Sequence, residues 1–109
     1  MAGKTILSDI ITKQIKIYTR IVMNANIPVE KVILFGSHVK GTAQIYSDID
    51  LCIVSPAFGN DRFSDRRILS HLTNDETLDI EPHPMSPEEL QDPYDPLAHE
   101  IRTFGIEIQ

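Results

Sequence analysis

The sequence predicts an α/β (α+β) fold in which one small mixed β-sheet is flanked by helices. Three observations lead there. An amphipathic stretch opens the chain, three short apolar or alternating runs follow between turn signals, and helix-start signals return near the end. At 109 residues the chain has the length of one domain, spanning 1–109.

From Ile6 to Ala25, apolar residues recur at Ile6, Leu7, Ile10, Ile17, Tyr18, Ile21, Val22 and Ala25, with Lys13, Lys16 and Arg20 between them. That is the period of a helix packing one stripe on a core. Asn26 and Pro28 end it, because proline has no amide to donate and restricts the residue before it. Val32 to Phe35 is a continuous apolar run stopped by Gly36, the pattern of a buried strand meeting a turn.

Ile49, Leu51 and Ile53 alternate with Asp48, Asp50 and Cys52, so a second strand sends its apolar side chains to one face and both aspartates to the other. Residues 55–64 read as an exposed loop. Ser64 or Asp65 is the expected cap of a short helix carrying Ile68, Leu69 and Leu72. A third strand is expected over Thr77–Glu81, with Leu78 and Ile80 inward, Asp79 and Glu81 on the opposite face, and the prolines at 82, 84 and 87 stopping it. Ser86-Pro87-Glu88-Glu89 has the serine cap, first-turn proline and early acids of a helix start. Residues 95–104 fit a last helix, broken by Gly105 before a short strand over Ile106–Ile108.

Composition excludes several classes. No apolar run reaches the ~18 residues of a membrane span, and no signal-peptide core is visible, so a cytoplasmic protein without membrane contact is expected. Cys52 is the only cysteine, which rules out an internal disulfide or a cysteine zinc cluster and suits a small buried side chain. A net charge of −6 with scattered lysines and arginines argues against a sequence-independent grip on nucleic acid.

Asp48 and Asp50 leave one face of a strand, and Asp79 leaves a face of another strand in the same way; if the two strands are neighbours, three carboxylates converge. Converging carboxylates repel and call for a cation, and Mg²⁺ or Mn²⁺ takes oxygen ligands and pairs with substrate phosphates. Gly36 permits close backbone approach to a ligand, and Ser37 offers an amide and a hydroxyl to phosphate oxygens. Lys40 adds positive charge nearby. Residues 36–42, GSHVKGT, lack the lysine after the second glycine that a phosphate-binding P-loop requires. His38, His71, His83 and His99 show no metal-ligand spacing and are expected in surface or turn positions.

Gly36-Ser37, ten residues, then Asp48-Ile49-Asp50-Leu51 resembles the signature of the DNA polymerase β-like nucleotidyltransferase superfamily, and the chain's size points to its minimal nucleotidyltransferase (MNT) family. The resemblance implies a palm-like fold and a nucleoside triphosphate, ATP foremost, bound by Gly36 and Ser37. It also implies two Mg²⁺ ions held by Asp48 and Asp50, with Asp79 completing the site as third carboxylate and general base. Glu81 faces the same way and is the alternative third carboxylate. Lys40 stands where many members carry arginine, keeping the charge without the planar fork.

For free-standing members the resemblance implies the antitoxin half of a HEPN/MNT toxin–antitoxin pair, attaching AMP to a tyrosine of the HEPN partner. Transfer to a small molecule or nucleic acid, and a binding antitoxin that masks its toxin by contact alone, are the alternatives. Exposed apolar sheet edges are compatible with a homo-oligomer.

Overall fold

The computed structural model describes residues 9–44 and 47–108. Nine elements follow one another among them: α1 (Asp9–Asn24), β1 (Lys31–Phe35), α2 (Ser37–Lys40), β2 (Ile49–Val54), α3 (Arg62–His71), β3 (Ile80–Met85), α4 (Pro87–Leu90), α5 (Pro96–Phe104) and β4 (Ile106–Glu107). The expected helix from Ile6 is present from Asp9 on, while Ile6 and Leu7 lie outside the described residues. Asn26, at φ 65°, turns the chain left-handed after α1, a conformation asparagine tolerates better than most residues.

The four strands lie in the order β3-β2-β1-β4. β1 runs antiparallel to both β2 and β4, whereas β2 and β3 are parallel, joined by a crossover containing α3. Alternation divides the apolar side chains between two cores. Val32, Leu34, Ile49, Leu51, Ile53 and Ile80 face Ile15, Tyr18 and Val22 of α1, Phe58, and Leu69 of α3. Ile33, Phe35, Cys52, Val54 and Met85 face the other way, toward Leu90, Ala98 and Ile101. Helices therefore cover both faces.

Tyr18 ties the first core together. Its ring is fully buried, and its hydroxyl donates to the Leu69 carbonyl at 2.7 Å, linking α1 to α3. Tyr18→Phe keeps the ring and removes the donor, so a loss of about 1 kcal/mol in urea unfolding is expected.

Three local expectations differ from the structure. The cap of α3 is Asp61, which accepts from the Ser64 amide at 3.3 Å and from its hydroxyl at 2.8 Å, in place of Ser64 or Asp65. The loop before it is not wholly exposed, because Phe58 inserts into the first core. The third strand begins later and runs through Pro82 and Pro84, leaving Leu78 71% exposed instead of inward.

The prolines are tolerated because β3 is an edge strand. The Met85 carbonyl faces β2, accepting from Ser55 N at 3.0 Å. By alternation Glu81 and His83 also point their backbone groups inward, so positions 82 and 84 would direct their amides away from the sheet. A missing N–H there costs no ladder bond. Ser86, the expected cap, closes the strand in a capping box bonded reciprocally to Glu89, and Asp95 caps α5.

Candidate active site

The site forms where β1 ends and β2 and β3 begin, on the sheet face of the second core. Leaving β1, the chain turns at Gly36 with φ 82° and ψ −150°, a combination essentially restricted to glycine, and enters α2 at Ser37. Space also demands glycine there, because a Cβ on residue 36 would overlap Asp50 Oδ2. The carboxylate of Asp50 thus lies against the bare backbone of the Gly-Ser turn. The long gap between the two motifs closes through β1–β2 pairing, in which Phe35 is the partner of Asp50.

On its other side Asp50 meets β3. Its strand partner is Glu81, and His83 Nε2 lies 3.2 Å from Asp50 Oδ1. Asp50, Glu81 and His83 each contribute one donor atom to a group whose atoms all lie within 4.8 Å of one another. The Phe35 ring meets the His83 ring edge-on at 5.0 Å, marking where the apolar core gives way to the polar cluster. Arg66 of α3 bonds Glu81 at 3.0 Å.

Partial burial raises the pKa of Glu81 above the ordinary glutamate value. His83 opposes that rise, the negative charges of Asp50 and Asp48 add to it, and Arg66 opposes it. Asp48, in the loop before β2, is exposed and within electrostatic reach of Glu81. A cluster of carboxylates whose mutual repulsion is partly relieved by Arg66 and His83 has the donor chemistry for a divalent cation.

Asp79 precedes β3. Its carboxylate accepts from Gln14 Nε2 at 2.9 Å, and its carbonyl accepts from Ile49 N at 2.7 Å. With Ile10, Gln14 and His38 it lines a groove of about 250 Å³ on the α1 side. The partner of Asp50 is therefore Glu81, while Asp79 is engaged by α1. Lys40, expected beside phosphate, bonds Glu100 of α5 at 3.2 Å and lies over the Phe104 ring at 5.6 Å.

The histidines, expected in surface or turn positions, include one that is neither: His83 is 15% exposed and bonded to Asp50. Ending the strand at Pro82 hid it. The available signal was its position two residues after Glu81, which places both on one strand face.

Cys52, two residues beyond Asp50, is buried as expected, and burial pushes its thiol pKa up to about 12. In native protein near neutral pH it should resist a thiol reagent such as DTNB. Full reaction should appear only on unfolding in urea.

The site thus sets a glycine-only turn against a carboxylate pair, on a small mixed sheet covered by helices. The chain belongs to the nucleotidyltransferase domain family, whose model matches residues 13–101. No curated protein gives a significant match. Solved structures do. One is a Sulfolobus solfataricus protein assigned as a nucleotidyltransferase, with TM-score 0.59 and 18% identity, covering 93% of this chain and 86% of that one. Another is a toxin–antitoxin with AMP-PNP, with TM-score 0.55 and 25% identity, covering 88% and 72%. A mutant of the toxin–antitoxin MntA-HpeT superposes at TM-score 0.55 with 19% identity over the same shares, 88% and 72%. No helix among the described residues is long and apolar enough to cross a membrane.

Proposed function

We propose that this domain transfers AMP from ATP to a hydroxyl of a partner protein, a tyrosine of a HEPN-type toxin, and so acts as its antitoxin in the cytoplasm. One juxtaposition carries the enzymatic part: Asp50 lies between the glycine-only turn at Gly36 and the carboxylate of Glu81. The likeness to a toxin–antitoxin structure containing AMP-PNP supports the nucleotide and the setting.

Gly36 and Ser37 bind the triphosphate through the turn backbone and the serine hydroxyl. Lys40 can join them only on leaving Glu100. Asp48, Asp50 and Glu81 are the residues that would hold Mg²⁺ or Mn²⁺, two ions in a full complement, supplying Lewis acidity to the phosphoryl and hydroxyl oxygens. We assign the third carboxylate to Glu81 in preference to Asp79, because Glu81 is Asp50's strand partner. Asp79, beside the α1 groove, is assigned to the approach of the acceptor.

In the transfer the acceptor oxygen bonds to the α-phosphorus, and the bond from that phosphorus to the α–β bridging oxygen breaks. Pyrophosphate leaves with the bond's electron pair. The acceptor proton passes to a site carboxylate. The raised pKa of Glu81 belongs to the cation-free site, so with Glu81 assigned to the cation the proton is assigned to Asp79, beside the groove by which the acceptor approaches.

The same shift sets a pH dependence. Glu81 takes up a proton at higher pH than an ordinary glutamate, and proton and cation compete for one carboxylate. Cation affinity measured calorimetrically should therefore decline as pH is lowered toward the ordinary glutamate pKa, beginning above it.

Incubation with ATP labelled at the α-phosphate, a divalent cation and the protein encoded by the adjacent gene tests the assignment. Label on a partner tyrosine that disappears with Asp48→Ala is the expected result. Neutralisation of the partner by Asp48→Ala and Asp50→Ala variants as fully as by the unaltered protein would instead make it a masking antitoxin.

A further inference from the structure

His83 stands inside the acidic cluster, although the nucleotidyl-transfer reading above gives it no task. Its position is set by an unusual local sequence, Glu81-Pro82-His83-Pro84. A proline disfavours helical backbone in the residue before it, so Pro82 holds Glu81 extended and Pro84 does the same for His83. Two donor side chains two residues apart are thus directed to one face of β3. The edge-on Phe35 ring then limits the motion of the imidazole, which is 15% exposed.

The imidazole Nε2 is 3.2 Å from Asp50 Oδ1, and Glu81 completes a set within 4.8 Å. Adjacent ligands on an octahedral ion with bonds of about 2.1 Å stand about 3 Å apart. The separation now spanned by a hydrogen bond is therefore that of two neighbouring ligands on one ion. We propose that His83 Nε2 is a direct ligand of the cation held by Asp50 and Glu81, and that this nitrogen makes the site favour Mn²⁺ over Mg²⁺.

The chemistry follows from donor preference. Mg²⁺ is a hard ion that favours oxygen and retains water, whereas imidazole suits first-row transition ions. Mn²⁺ combines acceptance of nitrogen with the oxygen-rich octahedral geometry that phosphate chemistry uses. Without a cation, Nε2–H donates to Asp50. As a ligand, Nε2 offers its lone pair and the ring proton resides on Nδ1.

This proposal rests on the cation-site part of the proposed function, and one set of measurements separates the two. The full chain is titrated with Mn²⁺ and with Mg²⁺ by calorimetry, and the Mn²⁺ form is studied by pulsed EPR with unlabelled and ¹⁵N-histidine protein. The expected result is nitrogen modulation that changes with the isotope, persists in His38→Gln and vanishes in His83→Gln. The His83→Gln substitution should also weaken Mn²⁺ binding about 10-fold and Mg²⁺ binding far less.

Bound Mn²⁺ without nitrogen modulation, or with modulation that survives His83→Gln, would overturn the proposal while leaving nucleotidyl transfer in place. Mn²⁺ affinity unchanged by Asp50→Ala would overturn both. Should His83→Gln not fold, the isotope effect in the unaltered protein and its dependence on His38→Gln still decide the matter, since loss in His38→Gln overturns it.

Discussion

Asp50→Asn should lower nucleotidyl transfer on the order of 10³-fold without lowering the stability of the metal-free protein. The two readouts diverge because the carboxylate serves binding while straining its surroundings electrostatically. Asp50 borders the glycine turn and Glu81, and its charge helps raise the Glu81 pKa. Asparagine keeps an oxygen able to accept from His83 and removes one negative charge from a repelling group. The metal-free melting temperature should therefore stay level or rise. The unaltered protein should gain about 2.7 kcal/mol when the cation exceeds its dissociation constant 100-fold, and Asp50→Asn should lose most of that gain. Paired thermal melts with Mn²⁺ and with EDTA check this. An equal cation-induced gain in both proteins would remove Asp50 from the cation site.

Gly36→Ala is expected to be costly in both stability and activity, and Gly41→Ala supplies the control. Both glycines have positive φ, 82° and 78°. Gly41 lies in the left-handed helical region with nothing within 4 Å of an added Cβ, so alanine there bears only the backbone cost of about 1 kcal/mol. Gly36 combines a glycine-only ψ with an overlap onto Asp50, whose side chain would have to leave its place between the turn and His83. A loss of about 3 kcal/mol is expected at Gly36, together with loss of cation-dependent ATP binding. Urea unfolding and calorimetry on the two variants measure these effects. Equal behaviour of the two would show that the proximity of Gly36 to Asp50 is immaterial.

The Gly-Ser turn and the strand carrying Asp50 were legible because each is a local pattern, an apolar run stopped by glycine and apolar residues at period two, although Asp48, expected on that strand, stands in the loop just before it. The helices around Tyr18, Leu69 and Ile101 were legible for the same reason. The start of β3 was not. Leu78-Asp79-Ile80 alternates as a strand should, yet the backbone of Leu78 and Asp79 forms a turn and the strand opens only at Ile80, while Asp79 bonds to Gln14, 65 residues away. Local alternation carries no information about such a partner.

The sequence by itself determined where glycine tolerance, carboxylate charge and alternation place candidate residues, since these are properties of short segments. Only the tertiary structure decided which of them meet. Parallel pairing of β2 with β3 makes Glu81 the partner of Asp50, and the edge position of β3 lets the strand continue past Pro82 to His83. A proline ends a strand where its amide would face a neighbour and is harmless where that amide would face outward, and strand order alone distinguishes the two.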